Sequence, residues 1–158
     1  MAKILFMGGV FNDEGGRPSG YVRQLTENLK NQSKHEIIVM NGGFYSNLNE
    51  TIVSQISQFQ IIFWFCDVPN DKPKLVKYIK EQNPNSILII SKNNRSEKYT
   101  QDMLVERILK AQANYLLEFK NTFDGKINAT LLSHLGYELM SKEQNIQVVA
   151  STLIKSII

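Results

Sequence analysis

Short apolar runs recur along the chain, and each stops at polar, turn-forming residues. Ile4–Met7 ends in Gly8-Gly9, and Glu36–Met40 ends in Asn41-Gly42-Gly43. Ile61–Cys66, the most hydrophobic segment, ends in Asp67-Val68-Pro69-Asn70-Asp71. Ser86–Ile90 gives way to Ser91-Lys92-Asn93-Asn94-Arg95, and Tyr115–Phe119 forms a fifth run. These runs are too short for ordinary helices and rich in β-branched and aromatic residues, so they predict strands. Their unbroken apolar character predicts burial on both faces.

Helical periodicity fills the spaces between them. Tyr21, Val22, Leu25 and Leu29 fall on one face of a helix that Ser19 can cap. A short second helix is predicted from Asn49 or Thr51 through Ile52, Val53 and Ile56. Lys74–Gln82 carries Leu75, Val76 and Ile79 at helical spacing, with Pro73 suited to its first turn and Pro84 beyond its end. Gln101–Gln112 places Leu104, Val105, Ile108 and Leu109 inward. The pattern then changes. Asp124-Gly125 is a hairpin signal, Ile127–Leu132 the returning antiparallel strand, and a last helix runs from about Glu143 to Ile157.

Strand and helix alternating in this way predict an α/β fold. It is a three-layer, doubly wound, mostly parallel sheet of the Rossmann-like or flavodoxin-like class, with right-handed crossovers. A C-terminal antiparallel hairpin forms one edge, and a final helix follows. The chain of 158 residues is expected to form a single domain, 1–158.

Composition narrows the function more than it names it. With 42% apolar and 21% charged residues, the chain is globular rather than disordered. A net charge of +3 spread over scattered lysines argues against a nucleic-acid surface, which needs clustered basic residues. No apolar run has the length of a membrane span, and the first apolar stretch is too short for a signal peptide. Cys66 is the one cysteine, so no internal disulfide can form, and a reducing, cytoplasmic setting is expected. Cys66 and the Phe63-Trp64-Phe65 cluster are expected in the core. His35 and His134 have no metal-ligand neighbours, so no metal site is expected, and no particular cofactor is indicated.

In open α/β sheets, ligands bind beyond the carboxyl ends of the parallel strands, where the strand order reverses. The segments after the first four strands therefore form the candidate site. The first is the richest: Gly8, Gly9, Asn12, Asp13, Glu14, Gly15, Gly16, Arg17, Ser19 and Gly20 precede a helix N-terminus. Glycine lets backbone N–H groups approach a ligand, a helix N-terminus favours an anion, and Arg17 can form two bonds to phosphate or carboxylate. The same segment can also be a turn that needs glycine only to bend. It is neither the dinucleotide fingerprint nor the P-loop, and Ser19 is not in a nucleophile elbow.

Asp13 and Glu14 are candidate acid–base or ribose-binding groups, or else solvated loop acids. Asp67 is either a ligand-hydroxyl acceptor or a turn acid beside Pro69. Asn41, Gly42 and Gly43 follow the second strand. Ser91, Lys92 and Asn93 are placed in the loop after the fourth, where they contact a phosphate or base or act as turn residues.

The layout of strands, helices and the acids Asp13, Glu14 and Asp67 resembles that of nucleoside deoxyribosyltransferases and related Rossmann-like nucleotide-processing domains. That resemblance implies an oligomer acting at N-glycosidic bonds. Gly15-Gly16-Arg17-Pro18-Ser19-Gly20-Tyr21-Val22 is also similar to the first loop of some retaining glycosyltransferases, which carry a second domain. The leading expectation is a nucleotide-like small-molecule ligand at the strand carboxyl edge, with cleavage or transfer at an N-glycosidic or phosphate bond if the chain is catalytic. A non-catalytic homo-oligomeric module, built on the apolar helix ending Leu153-Ile154-Lys155-Ser156-Ile157-Ile158, is the alternative. A flavodoxin-like flavin protein is the third reading.

Overall fold

The structure is a computed structural model that describes residues 2–7, 20–40, 56–64, 79–93, 100–121, 127–140 and 144–157. Strands β1 (Lys3–Met7), β2 (Glu36–Met40), β3 (Ile61–Trp64), β4 (Ile87–Asn93), β5 (Tyr115–Asn121), β6 (Ile127–Ser133) and β7 (Gln144–Asn145) form one sheet. Their spatial order is β2-β1-β3-β4-β5-β6-β7. The first five strands are parallel, and β6 and β7 are antiparallel to their neighbours. The predicted α/β class, parallel body, antiparallel edge and final helix are all present.

Helices α1 (Gly20–Gln32), α2 (Gln101–Lys110) and α3 (Ile146–Ser156) accompany the sheet. The chain moves one way from β1 to β2 and the opposite way from β4 to β5. With right-handed crossovers, α1 and α2 therefore cover opposite faces. Helix α3 packs beside α1, and the Gln32 side-chain amide donates to the Gln147 carbonyl between them. Leu25, Leu29, Val149, Ala150 and Leu153 are fully buried at this layer. Ile154 and Ile157 pack against the core, so much of the apolar surface at the C-terminal end is covered by its own chain. With both faces covered, β3 is buried at every position, as its unbroken apolar run predicts. Among the described residues, no helix is long and apolar enough to cross a membrane.

The structure revises several sequence-based boundaries. The fourth strand continues through Ser91, Lys92 and Asn93, which were expected in a loop. Their backbones pair with Leu117, Glu118 and Phe119, and this pairing outweighs their weak strand preference. Gly20, also expected in a loop, is the first residue of α1. The last helix begins at Ile146 rather than Glu143, because Gln144 and Asn145 pair with Ala129 and Asn128. The Asn145 carboxamide oxygen then caps the helix, accepting the Val148 N–H at 3.0 Å.

Helix α2 stops at Lys110, two residues early. Gln112 takes a left-handed φ of 51°, and the N–H groups of Gln112 and Ala113 bond back to the Leu109 and Ile108 carbonyls. Leu109, expected inward, is 56% exposed, whereas its neighbour Ile108 is fully buried. Leu104 and Val105 are partly buried against the core.

Of the predicted second helix, the described part is a single 3-10 turn, Ile56–Gln58. Residues 79–82 are helical, as the third predicted helix requires. Phe63 and Trp64 are core residues as expected, while Phe65 and Cys66 lie outside the described residues.

Candidate functional site

Strand β1 lies between β2 and β3, so the chain leaves it in one direction for β2 and resumes from β3 in the other. The order 2-1-3-4-5 of the parallel strands is the flavodoxin-like one, and its reversal falls between β1 and β3. In open α/β sheets such a reversal is where ligands bind, in a crevice beyond the strand carboxyl ends.

The floor of that position is aromatic. Phe6 and Phe63 are register partners, one residue short of the ends of β1 and β3. Their rings stack with centroids 4.7 Å apart and planes within 3°. Met7 and Trp64 form the next pair and the last one in the β1–β3 ladder. Residues 8–19 join Met7 to Gly20 at the start of α1, so this segment runs from a strand carboxyl end to a helix N-terminus. No acidic residue occupies the first turn of α1, so its positive dipole end is not offset by a carboxylate of its own.

Thirteen expected site residues lie outside the described residues: Gly8, Gly9, Asn12, Asp13, Glu14, Gly15, Gly16, Arg17, Ser19, Asn41, Gly42, Gly43 and Asp67. In the chain they follow the ends of β1, β2 and β3. Ser91 is 6% exposed in β4 and sits one residue beyond Ile90, the partner of Trp64. Lys92 and Asn93 continue the strand toward the same edge. Glu118 sits half-buried in β5 at the register position of Lys92.

The opposite edge is built for anchoring. Asn114 Oδ1 accepts the Leu88 N–H at 2.9 Å and the Lys80 ammonium at 3.4 Å. The Asn114 N–H donates to the Leu88 carbonyl at 2.8 Å, and its carbonyl accepts the His134 N–H at 2.9 Å. His35 Nδ1 accepts the Ala2 N–H at 2.9 Å. Both histidines thus sit at the amino edge. Among the described residues, the shifted titrations are here too. Burial holds Lys80 below the ordinary lysine range. Burial, and then the neighbouring Tyr137 phenol, push Tyr115 up. These shifts belong to a structural clamp rather than to the candidate site.

No protein-family model matches the sequence, and a comparison with curated proteins finds no match. Among solved structures, the chain is similar to the DNA/pantothenate metabolism flavoprotein from Streptococcus pneumoniae. The TM-score is 0.65 at 12% identity, covering 99% of this chain and 98% of that one. At this identity the likeness bears on the fold, and it supports the α/β architecture. Bacillus subtilis pyridoxal kinase, solved as an ADP complex, aligns with a TM-score of 0.41 at 14% identity, over 92% of this chain and 74% of that one. That second likeness is too distant to carry an argument.

Proposed function

We propose that the chain binds a nucleotide, nucleoside or related phosphorylated small molecule at the carboxyl edge of the sheet, over the crevice between β1 and β3. The observation that carries this reading is the reversal of strand order at that point. A helix N-terminus without its own acid, reached through a glycine-rich segment from β1, suits the anionic end of such a ligand. In this reading the backbone N–H groups of Gly15 and Gly16, with Arg17, hold the phosphate. Asp67, following β3, accepts ligand hydroxyls. Asp13 or Glu14 is the acid–base group for cleavage or transfer at an N-glycosidic or phosphate bond.

A flavin mononucleotide belongs to the same chemical class. The flavodoxin-like strand order favours including it, and the structural neighbour is itself named a flavoprotein.

An amide chemical-shift titration of the full chain with ADP and with FMN tests the site. The expected shifts cluster at Met7, Gly20, Trp64 and Ser91. His35, Asn114 and His134, at the amino edge, stay unmoved. Shifts confined to the amino edge would overturn the proposal.

A further inference from the structure

Ser91 is the first polar residue of β4, after the apolar run Ile87–Ile90. Side chains alternate between the faces of a strand, so Ser91 shares a face with Ile89 and, through the ladders, with Phe63 and Phe6. It lies two residues beyond their row toward the carboxyl edge, about 6.6 Å along the strand. Its register neighbours on that face are Leu117 and Leu131, both fully buried. Ser91 itself is 6% exposed. The other buried hydroxyls of the described residues are engaged. Ser86 donates to the Asn83 carbonyl at 2.9 Å, Ser133 Oγ accepts the Leu135 N–H at 3.2 Å, and Thr26 also has a partner. Ser91 is the exception: among the described residues, no group bonds to its hydroxyl. A largely buried hydroxyl without a hydrogen bond costs stability, and native folds leave few of them. This one lies on the strand next to β3, at the edge where α/β sheets bind their ligands.

We infer that the Ser91 hydroxyl pairs with a sugar hydroxyl of the ligand, so that the site selects a nucleotide with its sugar hydroxyls intact over a bare phosphate. The inference rests on the proposed function and deepens it. From the middle of the β1–β3 crevice to β4 is one and a half strand spacings, about 7 Å. A nucleoside phosphate with its anionic end at the crevice carries its sugar across that distance, whereas inorganic phosphate has nothing to place there. A serine hydroxyl both donates and accepts, as a sugar hydroxyl does, so the two pair in either direction. Ser91 is also uncharged. The charged register pair Lys92 and Glu118 falls on the opposite face of the sheet. Ser91 therefore reads the presence of a hydroxyl and leaves the ligand's charge to the crevice.

Calorimetric titration of the full chain and of Ser91→Ala with ADP, 2′,3′-dideoxy-ADP, FMN and pyrophosphate tests this role. The wild type is expected to bind ADP or FMN more tightly than pyrophosphate. Ser91→Ala should weaken that nucleotide by about two- to tenfold, the scale of one neutral hydrogen bond. Affinity for pyrophosphate and for the dideoxy nucleotide should be the same in both proteins. Melting curves without ligand give a second readout. Removing a hydroxyl that has no partner in the fold should leave the melting temperature equal or higher. A clear fall, or failure to fold, means that the hydroxyl already bonds within the chain and overturns the inference. Unchanged affinity for ADP and FMN overturns it while leaving the crevice intact, as does an equal loss for pyrophosphate or the dideoxy nucleotide. Failure of the wild type to bind any of the four overturns the reading of the site, and the role of Ser91 with it.

Discussion

Phe6 and Phe63 stack face to face, 4.7 Å between centroids, directly beneath the ends of the two strands where the sheet order reverses. Both are essentially inaccessible to water. The pair ties β1 to β3 at the point that the proposed site stands on. Phe63→Ala should cost about 3–5 kcal/mol, from lost burial plus the cavity left behind. Urea unfolding reads this directly. A loss below the range of a core truncation would show that the stack does not anchor the crevice.

The amino edge depends on Asn114. Its side-chain oxygen satisfies the Leu88 N–H where β4 begins. Asn114→Ala leaves that donor, on a fully buried residue, unpaired and leaves the Lys80 ammonium with the Ser86 carbonyl at 3.2 Å. The expected destabilisation is about 1–3 kcal/mol, measured by chemical unfolding. Binding at the carboxyl edge should persist in the folded variant, since the two edges are separate.

Helix α2 gives a contrast between adjacent leucine-like positions. Ile108 is fully buried, so Ile108→Ala should cost about 2–5 kcal/mol. Leu109 faces mostly solvent, so Leu109→Gln should change stability by no more than about 0.5 kcal/mol. Equal losses at the two positions would contradict the helix orientation.

Lys80 supplies a pH signature. Burial lowers its pKa in the fold below the ordinary 10.5. Below the lowered value both states carry the charge, and the fold bears the full desolvation cost. As pH rises from there toward 10.5, the folded chain releases this proton before the unfolded chain does, so the cost fades and stability rises. Relative to Lys80→Met, the wild type should therefore gain melting temperature across that window. Parallel curves for the two proteins would contradict the assigned burial.

Much of the architecture was legible because its central strands are buried on both faces. Ile61–Trp64 must be apolar throughout, and Gly or Asn closes β1 and β2. The extension of β4 was not legible. Ser91, Lys92 and Asn93 look like turn residues, and only pairing with Leu117, Glu118 and Phe119 holds them in a strand. The two-residue β7 was hidden for the same reason, since Gln144 and Asn145 carry no strand preference of their own. Leu109 misled because helical periodicity spans a wider arc than the face α2 actually buries. The strand order puts the reversal between β1 and β3, a position that the alternation of elements in the sequence did not give.

The central claim is a nucleotide-like ligand at the β1–β3 crevice. Thermal denaturation of the wild type, Arg17→Ala and Asp67→Ala with ADP, FMN and pyrophosphate tests it most directly. For a ligand at a hundredfold excess over its Kd, the wild type should gain about 2.7 kcal/mol, visible as a raised Tm. Both variants should lose most of that gain while melting like the wild type without ligand. No gain with any probe, or a gain kept in full by both variants, would contradict the account.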